Sequence, residues 1–375
     1  MADIVVKEVD NQRMLNLFIG LPGRIYRSDP AWVSPLFLER KQFLSSHNPY
    51  FDHARYQAWI AFRNGHPVGR ISAQIDELHL DRYQDATGFY GLLEAEDDPA
   101  AFEALFGTVE KWLGDQGIRN VRGPFNLSIN HECGMLVDGY HTPPMVMMGH
   151  ARPYYEERIT QLGYRGEKDL LAYLAPTDFT FTPAMQNIIR RFQEVISVRA
   201  FNFSRLEEEL AILKDIYEDA WSNNWGFLPF TSQELHHMGR DLKQFVPEEF
   251  VGIAEIDGQP EALILVFPNL YEAIRDLNGR LLPWGWLKLL WRFKITSLKT
   301  LRVPLMGVRR KHHNSRTGAA LALSLIAHVQ KVALKRSYQQ VEMSWILEEN
   351  QGMRSMIEGI GGEAYKRYRI FAKAI

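Results

Sequence analysis

The sequence predicts an α+β protein made of two tandem copies of one unit, each a mixed central sheet flanked by helices. Three observations predict it. A hairpin signal recurs at a fixed spacing, a long amphipathic helix followed by a strand recurs in the same order, and a closing helix and strand recur again. A chain of 375 residues is long enough for two or three domains. Its 46% hydrophobic and 23% charged residues match a globular protein rather than a disordered or fibrous one.

The elements follow in order. Residues 55–76 read as a hairpin, with an apolar-rich run, an Asn64-Gly65 turn and a second run. Residues 248–269 repeat the plan 193 residues later with Asp257-Gly258 at the turn, and Pro67 and Pro260 keep that spacing. Phe102, Leu105, Phe106, Val109, Trp112 and Leu113 then fall on one helical face. Their counterparts 220 residues on are Ala322, Leu325, Ile326, Val329, Val332 and Ala333. Strands follow at 118–121 and 338–343, still 220 apart. Shorter helices end at Leu162-Gly163 and Ile360-Gly361, now 198 apart, before last strands at 170–174 and 369–372. The expected domains are 1–176 and 177–375, joined by a proline-containing linker over 175–184. The changing offsets mark a gain of 27 residues between hairpin and long helix in the second half. They mark a gain of 22 between the later strand and the last helix in the first half. Insertions on a repeated scaffold are where function diverges.

Composition narrows the partners. Lys and Arg total 43 against 45 Asp and Glu, a net charge of −2, which argues against nucleic acid. A lone cysteine, Cys133, fits a reducing compartment, and the first residues lack a basic stretch followed by an apolar run. No 18 uncharged apolar residues run together, so the expected location is the cytoplasm. The 12% aromatic content exceeds what a core needs.

One loop has the chemistry of an anion site. A strand at 301–308 leads through Arg309, Arg310, Lys311, His312, His313 and Asn314 into Ser315-Arg316-Thr317-Gly318-Ala319-Ala320, where the long helix starts. A helix N-terminus offers unpaired N–H groups and a positive dipole end, and small residues let an anion approach. In the first half Gly318 corresponds to Asp98, followed by Pro99: an N-cap and a first-turn proline whose carboxylate takes the anion's place. The site is therefore expected in one copy alone.

Strand, basic turn, Gly/Ala loop, long helix, strand, Asn350-Gln351-Gly352 and a short helix ending at Gly361 resemble the GNAT superfamily of acyl-CoA-dependent N-acyltransferases. Ser315 stands where the family's loop begins with Arg or Gln, and Arg316 beside it carries a compensating charge. The resemblance covers 197–375 and, through the repeat, 1–176. The strings GPFNLSINHECGMLVDG at 123–139 and WSNNWGFLPF at 221–230 resemble the bacterial ceramide synthase-like group. The resemblance implies a donor, acyl-CoA or acetyl-CoA, with pyrophosphate at 315–320 and pantetheine along Met306, Gly307 and Val308. Asn350 and Arg309, Arg310 and Arg316 complete that donor set. It implies direct attack of a neutral amine on the thioester, with amides near Gly307 and Val308 holding the oxyanion. The family's tyrosine general acid aligns near Ile357, which carries no proton. Gly318→Asp is expected to copy Asp98 and abolish CoA binding.

Several residues are candidates for the remaining roles, each with a plainer alternative. Glu342, on the strand after the phosphate helix, is the candidate base, or else a solvated strand carboxylate. His131 and Glu132, in a polar run with Asn126, Ser128 and Asn130, are alternative acid–base and substrate groups, or else turn-forming and structural residues. Cys133 reads as a small buried hydrophobe, and His312-His313 as phosphate neighbours rather than a metal pair, so no metal is expected. Trp221, Asn224, Trp225 and Trp345 are acceptor-lining candidates, or packed rings. Residues 281–295 combine Trp284, Trp286 and Trp291 with Lys288 and Arg292, which suits a membrane interface or a lipid lid, or else a helix clamped on the sheet. The expected activity is N-acylation of an amine, with a sphingoid-type amino lipid as leading acceptor and contact through 281–295 with the inner membrane. N-acetylation of a small amine or amino acid, and a non-catalytic acyl- or lipid-binding module, are the alternatives.

Overall fold

The computed structural model describes residues 3–295 and 298–375, without the side chains of Leu290 and 293–295. It divides into two compact units. One holds Met1–Leu170, Ile274–Leu289 and Lys366–Ile375, and the other holds Leu171–Ala273 and Leu290–Tyr365. The strands, in chain order, are β1 Ile4–Glu8, β2 Ala54–Arg63, β3 His66–Asp76, β4 Thr87–Ala95, β5 Asn120–Gly123, β6 Phe125–Asn126, β7 Glu132–Cys133 and β8 Met135–Asp138. They continue with β9 Arg165–Pro176, β10 Ile196–Ala200, β11 Val251–Ile256, β12 Gln259–Pro268, β13 Thr300–Val308, β14 Gln340–Leu347 and β15 Glu363–Ala374.

The first unit's sheet runs β1-β2-β3-β4-β5 and ends on the C-terminal part of β15, where Phe371 pairs with Gly123. The second runs β10-β11-β12-β13-β14 and ends on β9. Each unit thus carries the closing strand of the other sequence copy. β4–β5 and β13–β14 are parallel pairs inside otherwise antiparallel sheets. This is the mixed sheet that two repeated units predict, and the fold is a tandem GNAT fold.

Local chemistry explains the repeats. Both hairpins turn on two residues with positive φ, Asn64 at 51° with Gly65 at 78° and Asp257 at 51° with Gly258 at 74°, as a two-residue type I′ turn requires. A register shift follows each turn at the same place in the copy, Ala61/Phe62 opposite Pro67 and Ala254/Glu255 opposite Pro260, because proline lacks the N–H a regular ladder needs. The helix Pro99–Gly114 buries Phe102, Leu105, Phe106, Val109 and Leu113, each burial stabilising by roughly 2 kcal/mol. Trp112 is half-buried at its edge, against Trp59.

In the second unit β12 is buried continuously over 261–266, the mark of a strand covered on both faces. Trp221, the last residue of helix Leu206–Trp221, lies over Gly307 on one face. Leu325 of helix Arg316–Lys335 faces Gly252 on the other. Helix Arg316–Lys335 is long and apolar enough to cross a bilayer on composition. Its Leu321, Leu325 and Val329 instead belong to the core of this unit, so packing on the sheet accounts for its apolar stripe.

Candidate functional site

The site begins where two parallel strands separate. β13 and β14 pair from Thr300↔Gln340 to Val303↔Met343 and no further. Pro304 follows at once, with no N–H to continue a ladder. β13 stays with β12, Leu305↔Leu265 through Val308↔Ala262, while among the described residues no strand pairs with the other edge of 304–308, leaving alternate main-chain groups there for a ligand. Between the strands opens a cleft of about 980 Å3, part of it solvent. Val303, Leu305 and Met306 form one wall and Met343, Trp345 and Leu347 the other. Ile326 and Val329, with Met353 and Ile357 of helix Gln351–Gly359, close its base.

The first unit repeats the separation and fills it. β4 and β5 pair only from Thr87↔Asn120 to Phe89↔Arg122. The polar run after β5 then turns into the gap: a Cβ at Gly91 would meet the Phe125 carbonyl oxygen at 1.9 Å. Gln74 Nε2 donates to the carbonyls of Phe125 at 2.6 Å and Leu127 at 3.1 Å, and Asn126 Oδ1 accepts the Leu92 N–H at 2.8 Å.

At the mouth of the open cleft, Ser315 caps helix Arg316–Lys335. Its Oγ accepts the Gly318 N–H at 3.0 Å and donates to the His312 carbonyl at 2.7 Å. That leaves the amides of Arg316 and Thr317 at the helix end, where an anion is favoured. Gly318 is glycine for a local reason, since a Cβ would meet the His312 carbonyl oxygen at 2.1 Å. Gly318→Asp would therefore disrupt the loop before its charge could act. Most of the basic cluster is already engaged. Arg309 pairs with Asp215, and Arg310 with Asp219, its backbone N–H donating at 2.7 Å. Lys311 and His312 both reach Glu261, at 2.5 and 3.1 Å. His313 Nε2 donates to the Val308 carbonyl at 2.8 Å. Arg316 is exposed and has no ion pair among the described residues, so it is the cation free to meet a phosphate. In the first unit Asp98 takes this position as an N-cap, accepting the Ala100 N–H at 3.1 Å and pairing with Arg63 at 2.5 Å.

Glu342 sits at the branch point, 0% exposed, opposite Arg302, itself 3% exposed. The Ser344 hydroxyl donates to one carboxylate oxygen and the Tyr365 hydroxyl to the other. Arg302 Nε lies 3.6 Å from the same carboxylate and donates to Ser344 Oγ at 2.9 Å. Ser344 lines the cleft and Glu342 does not, so any proton reaching the carboxylate from the cleft passes the Ser344 hydroxyl. Sequence reasoning named Glu342 but missed Ser344, Arg302 and Tyr365. Ser344 was reachable: two residues along a strand lie on the same face.

Of the predicted ligand residues, Met306, Trp221, Asn224, Trp345 and Asn350 line this one cleft. Trp221 lies over Gly307, where a Cβ would meet its ring at 2.1 Å, and packs at 5.3 Å on Tyr217. Tyr217 also meets Phe227 and Phe230, so part of the aromatic excess is a packed cluster behind Trp221. Asn350 caps the following helix, its Oδ1 accepting the Met353 N–H at 3.1 Å. Val308, Ala319, Ala320 and Trp225 do not line the cleft.

His131, Glu132, Asn126, Ser128 and Asn130 all belong to the first unit and to the run that fills its gap. Glu132 accepts from Arg40 at 2.7 Å and from Asn126 Nδ2 at 2.9 Å. Burial alone would raise its pKa, but Arg40 and the Asn126 amide outweigh burial and hold it below the usual carboxylate range. His131 Nδ1 is 2.9 Å from Ser128 Oγ, with Phe43 and Tyr50 edge-on to its ring. Asn130 N–H donates to Ser128 Oγ at 3.2 Å. Cys133 is buried and forms no disulfide. Among the described residues no group of three His, Cys, Asp or Glu forms a metal site.

No family model matches the chain. It is 48% identical over 372 residues, 99% of its length and 95% of the other's, to protein YghO of Escherichia coli. It is 42% identical over 377 residues, covering all of its length and 98% of the other's, to a bacterial ceramide synthase of Caulobacter vibrioides. Among solved structures, a tandem GNAT protein from the clavulanic acid biosynthesis pathway shares the fold at 11% identity. Its TM-score is 0.58, over 99% of this chain and 98% of that one. A GCN5-related N-acetyltransferase from Sphaerobacter thermophilus does so at 12% identity and TM-score 0.56, over 99% and 95%. With the repeated sheet and these relatives together, the chain has the tandem GNAT fold and belongs to the family of the Caulobacter bacterial ceramide synthase.

Proposed function

We propose that this chain is an N-acyltransferase that moves a long acyl group from acyl-CoA to the amine of a long-chain amino lipid of the sphingoid type. The carrying observation is the apolar lining of the cleft between β13 and β14, with Leu305, Ile326, Val329 and Ile357 at its walls and base, which suits a hydrocarbon chain. The relative from Caulobacter supports the acceptor class, as a ceramide synthase by name. In this reading CoA phosphates meet the amides of Arg316 and Thr317 and the Arg316 guanidinium, and the pantetheine amides pair with the free edge of β13.

The reaction forms a C–N bond and breaks a C–S bond. The neutral amine adds to the thioester carbonyl, the oxyanion is held by main-chain N–H on β13, and the thiolate leaves as the tetrahedral intermediate collapses. The amine gives its proton to Ser344 Oγ as the Ser344 hydroxyl proton moves to the Glu342 carboxylate, so the proton ends on Glu342, which acts through Ser344. Thiolate is a weakly basic leaving group and departs without the tyrosine that Ile357 replaces.

The test measures thiol release from acyl-CoA donors ranging from acetyl to a full fatty chain, roughly two to eighteen carbons, with sphinganine or small amines as acceptor. Long-chain donors with sphinganine should turn over fastest, and Arg316→Glu should weaken CoA binding roughly tenfold by calorimetry. Preference for acetyl-CoA and a small amine would overturn the acceptor assignment. Donor binding without turnover on any amine would leave a binding module in its place.

A further inference from the structure

Residues 282–291 expose more large apolar surface than any other described stretch. Leu282 is 79% exposed, Trp284 69%, Trp291 56%, Trp286 46% and Leu287 42%. A tryptophan or leucine left in water forgoes roughly 2 kcal/mol that burial would supply, so a cluster of five marks a surface used by a partner. The segment is well formed rather than frayed. Lys288 N–H donates to the Trp284 carbonyl at 3.3 Å, closing the first turn of helix Gly285–Ile295, and Arg292 donates to the Ala273 carbonyl at 2.6 Å from behind. Helical spacing puts Trp284, Leu287, Lys288 and Trp291 on one outward face.

Charge identifies the partner. From 277 to 299 the chain carries Arg280, Lys288, Arg292, Lys294 and Lys299 and no Asp or Glu, within a protein of net charge −2. Against this, Lys288 has Asp276 3.4 Å away, an exposed pair of little strength. A second copy of the chain would bring two such cationic segments together across a two-fold axis and repel. An anionic bilayer offers what the segment lacks, negative charge at the surface and an interface where tryptophan rings settle.

We propose that 282–291 docks on the surface of an anionic lipid bilayer, with Trp284, Leu287 and Trp291 entering the headgroup region and Lys288 meeting lipid phosphate. The proposal is independent of the acylation reaction, and its test contains neither donor nor amine acceptor. The full chain is floated with vesicles of phosphatidylcholine alone or mixed with phosphatidylglycerol, at low and high salt. Wild type should float with the anionic vesicles, and high salt or omission of phosphatidylglycerol should weaken binding at least roughly tenfold. Trp284→Ala with Trp291→Ala should abolish flotation, and Lys288→Glu should weaken it by roughly tenfold, both with unchanged circular dichroism and thermal midpoint. Wild type that stays unbound with anionic vesicles overturns the proposal. So does a dimer in light scattering that the double tryptophan variant converts to monomer, since the second copy is then the occupant.

Discussion

Glu342 shows how one residue can be legible in kind and opaque in role. Its place on a strand after the phosphate helix marks it, yet it is fully buried against Arg302 and reached through Ser344. A buried carboxylate facing a buried guanidinium cannot be removed alone without exposing the partner's charge to a poor environment. Glu342→Gln is expected to cost ~3 kcal/mol in chemical denaturation and to lower kcat more than tenfold. Ser344→Ala should lower kcat similarly at a smaller stability cost, because it removes the relay and spares the ion pair. Loss of stability with an unchanged kcat and pH–rate profile in both variants would reduce the network to scaffold. The basic loop teaches a related lesson. Four of its cations look free in sequence, but Asp215, Asp219 and Glu261 engage Arg309, Arg310, Lys311 and His312, leaving Arg316. Those acids lie 50 to 94 residues away in the chain, so local reading has no access to them.

At the scale of elements, the hairpins and the long helices stand where periodicity puts them, because each follows from local rules of turn chemistry and apolar spacing. The polar density of the insertion after β5 admits both a functional and a turn-forming reading in sequence. The structure gives those polar groups backbone partners, with Asn126 holding the Leu92 N–H at φ 48° and Gln74 holding two carbonyls. Irregular chain driven into a sheet gap needs side chains to satisfy its main-chain groups, and Asn, Ser and Gln supply them. Asn126→Ala is accordingly expected to destabilise the protein by about 1–3 kcal/mol in urea unfolding. CoA affinity of the folded protein, measured by calorimetry, should stay within roughly twofold, because the anion end belongs to the other unit. A selective loss of CoA binding at unchanged stability would refute that reading.

For the molecule as a whole, duplication followed by divergence explains most of what is seen. One copy keeps its strand separation open, the other fills it, and where the second has Gly307 under Trp221 the first has Glu94. Glu94 is half-buried, and its removal from water pushes its pKa up to about 7, against the opposing influence of Arg70 and the Tyr26 and Tyr155 hydroxyls. A carboxyl whose folded pKa lies above its unfolded value of about 4.5 contributes stability fully below that value and loses it as pH rises through about 7. Urea midpoints should therefore fall between pH 5 and pH 8, by up to ~3 kcal/mol in free energy, and Glu94→Gln should flatten that slope. An equal slope in the variant would assign the dependence to other groups. The sequence alone determined the α+β class and the tandem repeat, since turn residues, helical stripes and caps act over a few positions. Only the tertiary structure decided which closing strand completes each sheet, which gap is filled, which cation is left for a phosphate and which aromatic residues stay in water. Those outcomes depend on which distant groups satisfy a strand edge, a charge or an apolar face, and distance along the chain carries no record of them.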